Sequence, residues 1–206
     1  MTYEELRQQV ANHFVHTELV PFIPTAVALA EAVFNRRLRT REMQSRAYTT
    51  VSQRYLELPD DFQEVRSVYI TGSWHRLEFL TAEETRRKHR SAVEAGTPVY
   101  YSIVALEMEL LPAPADSLEL EILYYRRIPA LGTGRQTNWL IERHPDVYLY
   151  GVLLQAAQYL EGHGHRRDRR VSEWASMYQT ILDEIHVDNE RAEYPGGVLK
   201  ARARPL

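Results

Sequence analysis

Apolar residues recur every three or four positions at both ends of the chain, and they alternate with polar ones in the middle. Leu6, Val10 and Phe14 make a helical stripe opened by Thr2, with Glu5 three residues on in capping-box spacing. Pro21 and Pro24 bracket a break. Val27, Ala30, Phe34 and Leu38 then predict a second helix over about residues 25–39. From 48 to 58 the chain alternates and is rich in Thr, Val and Tyr, and Pro59-Asp60-Asp61 signals a turn. Val65, Val68 and Ile70 suit a strand ending at Gly72, with residues 74–80 pairing back as a hairpin. Thr81 and Glu84 form another capping box, opening a short helix to about 94, which Gly96-Thr97-Pro98 stops. Residues 99–104, 107–111 and 118–126 read as three strands. In the last of these, Leu118, Leu120, Ile122 and Tyr124 share one face, while Glu119, Glu121 and Leu123 share a mostly wet one.

Helix returns near Leu140. The run VYLYGVLLQAAQYL, residues 147–160, carries no charge, and a helix that apolar on nearly every side must be surrounded by protein. Pro145 and Asp146 suit its first turn. A last helix over about 167–190 shows Val171, Trp174, Met177, Tyr178, Ile181, Leu182 and Ile185 at spacings of three and four. Pro195-Gly196-Gly197 ends it, leaving an extended tail.

These elements predict an α+β fold, in which N- and C-terminal helices form a bundle, a β-rich lobe is inserted, and an extended C-terminal arm follows. The expected division is 1–45 and 137–192 for the two halves of the helical core, 46–136 for the β-rich lobe, and 193–206 for the arm.

The 206 residues are 44% hydrophobic and 26% charged, the composition of an ordinary folded protein. No stretch reads as a membrane span, and the start MTYEELRQQV is charged and amphipathic rather than a leader. The chain has no cysteine, which excludes disulfides, cysteine-ligated zinc and thiol chemistry. A net charge of −3 gives no overall pull toward nucleic acid. Charge is uneven, however: Arg36, Arg37, Arg39 and Arg41 cluster, as do Arg166, Arg167, Arg169 and Arg170, and the tail carries Lys200, Arg202 and Arg204.

Few residues suggest chemistry. His163 and His165, with His144 behind them, are the metal suspects, but a structural zinc site wants four ligands, and a solvated loop is the favoured reading. Asp60-Asp61 and Glu83-Glu84 are adjacent in turns and helix starts, where they do not face each other across a substrate. No nucleophile elbow, phosphate loop or H-E-x-x-H motif occurs. We therefore expect no catalytic residues, no cofactor and no metal. Trp139 and Trp174 read as core anchors. The arginine clusters suit subunit salt bridges, DNA phosphates or solvated faces, and Tyr148 and Tyr150 suit a subunit seam.

Several blocks run in a familiar order. They are Ile23-Pro24, Ala28-Leu29-Ala30-Glu31, the stretch from Asn35 to Met43, Leu58-Pro59-Asp60-Asp61-Phe62 and Glu64-Val65-Arg66. They continue with Gly96-Thr97-Pro98-Val99-Tyr100-Tyr101, Leu111-Pro112-Ala113-Pro114, Tyr124-Tyr125, Ile128-Pro129-Ala130-Leu131, Thr137 to Leu140, and Pro145 to Gly151. In this the chain resembles the head–tail adaptor (head-completion or connector) proteins of tailed bacteriophages and gene transfer agents. The resemblance implies a structural virion protein of the neck, made in the host cytoplasm and without enzymatic activity. It implies a dodecameric ring of copies beneath the portal protein, continuing a channel through which packaged DNA passes without sequence-specific binding. It also implies a tail or nozzle protein as the next partner, and no membrane. The C-terminal arm would dock on the portal through Tyr194, Val198, Leu199, Lys200, Arg202, Arg204, Pro205 and Leu206. Arg36, Arg37, Arg39, Arg41, Tyr148 and Tyr150 are the candidate subunit-interface residues. The alternative is a nucleic-acid-binding accessory protein of phage assembly. The sequence departs from the family pattern in the loop 161–170, which is rich in histidine and arginine, and in the Gly196-Gly197 hinge.

Overall fold

The structure is a computed structural model that describes residues 1–14, 17–73, 75–89, 95–166 and 168–193. Among these, the α-helices are α1 (Tyr3–His13), α2 (Ile23–Arg37), α3 (Ala82–His89), α4 (Trp139–Arg143), α5 (Pro145–Gly162) and α6 (Val171–Glu193). The strands are β1 (Gln44–Val51), β2 (Tyr55–Glu57), β3 (Phe62–Ile70), β4 (His75–Arg76), β5 (Glu78–Phe79), β6 (Ala95–Gly96), β7 (Tyr100–Val104), β8 (Glu107–Leu111), β9 (Ala113–Pro114) and β10 (Leu118–Arg126). The fold is mixed α+β and divides into two compact units. One joins Met1–Glu42 to the chain from Ile128 onward; the other is Met43–Arg127.

The helical unit is organised on α5. Val147, Tyr148, Gly151, Val152, Leu153, Ala156, Ala157 and Leu160 are buried on it, and α1, α2, α4 and α6 all pack against it. Each fully buried Val or Leu side chain contributes about 1.5–3 kcal/mol, so this one helix carries a large part of the apolar burial. Its enclosure follows from its composition, as expected. Gly151 lets α2 approach: a Cβ there would stand 3.0 Å from Cζ of Phe34. Phe34 meets the Tyr148 ring edge-on, with centroids 4.9 Å apart.

α1 starts at the predicted cap, where Thr2 Oγ1 accepts from the Glu5 N–H at 3.2 Å and Glu5 accepts from the Thr2 N–H at 2.9 Å. α2 begins two residues earlier than its stripe suggested, because the six-residue 3-10 helix Thr17–Phe22 runs directly into Ile23 with Pro24 in the first helical turn. This stretch also corrects an expectation. Glu18–Arg37 is long and apolar enough to cross a membrane by length and composition. Yet Ile23, Ala26, Val27, Ala30 and Phe34 are buried among helices, as in the core helix of a folded unit. On α6, Trp174, Tyr178, Ile181, Leu182 and Ile185 are buried as predicted, whereas Met177 is 47% exposed.

The second unit holds a four-stranded antiparallel sheet in the order β1-β10-β3-β4 and a second sheet in the order β2-β8-β7-β5. Val51, Val68, Ile70, Leu120, Ile122 and Tyr124 from the first sheet share a core with Tyr101, Met108 and Leu110 from the second. The alternation of β10 sets this arrangement, with its even-numbered residues inward. Two expectations are corrected. Residues 48–58 are not one strand: β1 ends at Val51, and β2 pairs with β8 in the other sheet. Of the expected hairpin, only β4 returns along β3, while β5 crosses to pair in parallel with β7. Leu77, buried between them, is the pivot: its N–H still donates to Val68 O, but the next N–H donates to Val99 O, both at 2.9 Å. The Thr81–Glu84 capping box is present at the start of α3, and the expected end of that helix, residues 90–94, lies outside the described residues.

Candidate functional site

The helical unit holds a buried polar hub. Glu31 sits on the inward face of α2, one position from Ala30 and between Val27 and Phe34, and is only 6% exposed. Its Oε1 accepts from the Tyr148 hydroxyl at 3.0 Å and from the Leu131 N–H at 2.8 Å. Asn138 donates through Nδ2 to the Tyr148 hydroxyl at 2.7 Å and to Pro129 O at 2.8 Å. Its Oδ1 accepts from the N–H groups of Leu140 and Ile141, capping α4. One turn along α2, Asn35 Oδ1 accepts from the Ile128 N–H at 2.8 Å. These bonds hold segment 128–138 on α2 and α5, so residues 128–136, expected with the β-rich lobe, lie with the helices. Burial pushes the Glu31 carboxyl above its ordinary range, against the pull of its two donors. Burial first, and then the neighbouring Glu31 charge, pushes the Tyr148 hydroxyl up as well.

A cleft of about 250 Å³ opens near the C-terminal end of α6. Thr40, Arg41, Glu42, Trp139, Arg143, His144, Ile185, Asp188, Asn189 and Ala192 line it. Glu42 takes an ion pair from Arg143 and another from Arg41 at 3.4 Å. Partial burial works to raise its carboxyl, but its own N–H, Arg143, Thr40 and Arg41 together hold it below the usual range. Asn189 accepts from the Arg41 N–H at 2.8 Å and donates to Arg39 O at 3.2 Å, fastening the chain after α2 to α6. Arg41, Glu42, Arg143 and Asn189 thus engage one another or nearby backbone.

The arginines expected to act together are divided. Arg36 is exposed at the end of α2. Arg37 donates to Gln179 on α6 at 3.2 Å. Arg39 donates to the carbonyls of Asn35 and Leu38, a good use of a cation at a helix C-terminus. Arg170 is held by Asp168 at 2.7 Å and lies 5.0 Å above the Trp174 ring. Tyr148 has 0% exposure inside its own chain, which leaves it no surface for a neighbouring copy, whereas Tyr150 is half-buried on α5. His163 packs against Tyr159, and His165 pairs with Glu18 at 2.5 Å, so the two rings have separate partners. Among the described residues, no group of three or more potential metal ligands occurs. Tyr194, Val198, Leu199, Lys200, Arg202, Arg204, Pro205 and Leu206 lie outside the described residues.

The sequence reading missed Glu31, Asn138 and Asn189. A signal existed for two of them: an acid set inside an apolar stripe, and an Asn directly before a helical run. Asn189 had none.

The helical unit is thus held by internal polar bonds around Tyr148, and its polar cleft lies near the C-terminal end of α6. The family profile described as SU10 adaptor protein matches residues 1–202, and the chain belongs to this family of phage head–tail adaptors. None of the curated proteins matches it.

Proposed function

We propose that this protein is the structural adaptor of a phage neck, standing as a ring beneath the portal and extending the DNA channel toward the tail or nozzle. The observation that carries this reading is the family match over residues 1–202. The helical unit, Met1–Glu42 with the chain from Ile128 to residue 192, forms the ring wall, the β-rich unit Met43–Arg127 faces the next neck component, and the arm 193–206 grips the portal. Twelve copies is the stoichiometry we assign to the ring. A cyclic ring needs a heterologous contact, in which one face meets a different face. Arg36, Arg37 and Tyr150 supply part of it, since they are accessible on the helices. Arg39 and Arg41, bonded within the chain, set the shape of that edge.

The arm brings Val198, Leu199, Pro205 and Leu206 as apolar anchors, with Lys200, Arg202 and Arg204 to meet acidic or carbonyl groups. Ordering each arm residue costs about 1–2 kcal/mol, so a single arm binds weakly, and a ring of arms multiplies the affinity. No catalytic step belongs to this role. The nucleic-acid alternative loses support because Arg37, Arg39 and Arg170 already serve groups of their own chain.

The test is to mix the cognate portal with the full chain, and separately with a chain truncated after residue 193. Light scattering coupled to size exclusion, and negative-stain images, are then compared. The full chain should add a ring of density and about twelve copies per portal, and the truncated one should not bind. A truncated protein that co-assembles as well as the full chain overturns the arm assignment, and a full chain that ignores its portal overturns the adaptor reading.

A further inference from the structure

β1 lies at the edge of its sheet, with β10 on one side. The register fixes which way its backbone faces. Thr71 donates to Glu119 O, so on β10 the residues Glu119, Glu121 and Leu123 bond toward β3, and the even-numbered residues between them bond toward β1. The β1 partners of those even-numbered residues are Ser45, Ala47, Thr49 and Val51. Arg46, Tyr48 and Thr50 therefore turn their N–H and C=O groups out of the open edge, and among the described residues no backbone group meets them. Their side chains stand on the wet face of the sheet, where Tyr48 is 56% exposed.

Open edges are normally blunted, because they invite a further strand. The other edges of the two larger sheets are blunted by shortness: β2 has three residues, and β4 and β5 have two each. β1 has eight residues and carries none of the usual protective devices. It contains no proline or glycine, and its pairing with β10 runs from Gln44 to Val51 without a bulge. Its inward side chains, Ser45, Ala47, Thr49 and Val51, bear no charge. Arg46 is its single charged residue, and Glu121 of the same sheet pairs with it at 3.5 Å. A long, regular edge of this kind is a template for strand addition.

We infer that β1 pairs antiparallel with β1 of a second copy in the free protein, about a twofold axis at Ala47. The strand is complementary to itself in that register. Arg46 falls opposite Tyr48 of the second copy, and the reverse, so the outward N–H and C=O groups of both residues find partners and each guanidinium meets an exposed ring. Gln44 falls opposite Thr50 and Ser45 opposite Thr49, so polar side chains meet polar ones and no like charges are directly opposed. The two Ala47 residues meet where the strands come closest, about 4.5 Å between Cα atoms, and a small side chain fits there. A second copy is the occupant because β1 by itself supplies every part of this match. A twofold pair covers both edges and stops, whereas a ring sets one face against a different one, so the pair belongs to the free chain and gives way on assembly.

Sedimentation velocity of the full chain, from low micromolar to hundreds of micromolar, should show a mass that rises from one chain to two and no further. Tyr48→Pro removes an outward N–H and no bond to β10. It should leave the far-ultraviolet circular dichroism unchanged and raise the dimer dissociation constant roughly tenfold or more, since two hydrogen bonds are lost per pair. Cysteine substitution tests the register without disturbing the backbone, because the chain has no cysteine of its own. Ala47→Cys should form an interchain disulfide roughly tenfold faster than Thr49→Cys, whose side chain shares the same face but stands about 14 Å from its counterpart in this register. A single-chain mass at every concentration describes an edge kept for a different protein's strand, and growth beyond two chains describes contact through another surface. Either result overturns the proposal, as do equal disulfide rates or a Tyr48→Pro protein that pairs as tightly as the parent. Because the portal is absent from these measurements, failure here leaves the adaptor reading untouched.

Discussion

Tyr148→Phe removes one oxygen from the centre of the helical unit, and the structure sets what that should cost. The hydroxyl takes part in two bonds, donating to Glu31 Oε1 at 3.0 Å and accepting from Asn138 Nδ2 at 2.7 Å. The first is charge-assisted and the second neutral, which gives net contributions of about 1.5–3 and about 0.5–1.5 kcal/mol. The partners keep some compensation: Glu31 retains the Leu131 N–H, and Asn138 retains Pro129 O. One amide hydrogen of Asn138 is nevertheless stranded in a site that excludes water. The phenyl ring still fills its place against Phe34, so no cavity opens. The expected loss is therefore about 2–4 kcal/mol, equivalent to a fall of roughly 4–16 °C in melting temperature for a chain of this size. Urea titration followed by far-ultraviolet circular dichroism, with calorimetry alongside, measures it. Pairing Tyr148→Phe with Glu31→Gln in a double-mutant cycle should give a coupling of about 1 kcal/mol or more, since the two groups touch. A Tyr148→Phe protein within about 0.5 kcal/mol of the parent, or a coupling near zero, would refute the claim that this hub holds segment 128–138 on α2 and α5.

Gly151→Ala gains about 1 kcal/mol of helix propensity but drives a methyl to 3.0 Å from Phe34, where overpacking costs about 1–3 kcal/mol, so a net loss of up to about 2 kcal/mol is expected. Phe34→Leu should partly rescue Gly151→Ala in urea titrations, and purely additive losses would show that the contact is not the cause. Glu31→Gln tests the buried carboxyl by its pH dependence. Burial raises the folded-state value above the ordinary 4.5, so the stability tied to the proton is complete below 4.5 and is lost as pH climbs through the folded value. The stability of Glu31→Gln relative to the parent should accordingly grow from pH 5 to pH 7.5, and a difference that is constant or shrinks across that window would contradict the assignment.

Periodicity and punctuation carried much of this protein. The α1 cap, the buried character of α5, the inward face of β10 and the apolar side of α6 were all legible, because each follows from spacing along a single element or from a polar side chain bonding three residues away. The order of sequence blocks also pointed to the adaptor family. What the tertiary structure decided is of another kind. Whether residues 78–79 continue a hairpin or join the other sheet depends on which edge is open near Leu77, and spacing does not encode that. Met177 belongs to the same stripe by spacing, yet it is exposed while its neighbour Tyr178 is buried. The arginines near position 37 looked like one basic patch, yet Arg37, Arg39 and Arg41 found separate partners, since 3.6 residues per turn and the end of α2 send them in different directions. Tyr148 read as a residue for a subunit seam because a phenol suits a half-wet site. Its enclosure with Glu31 and Asn138 joins groups 117 and 10 residues away in the chain, and only the folded packing of α2 against α5 brings such groups within bonding distance.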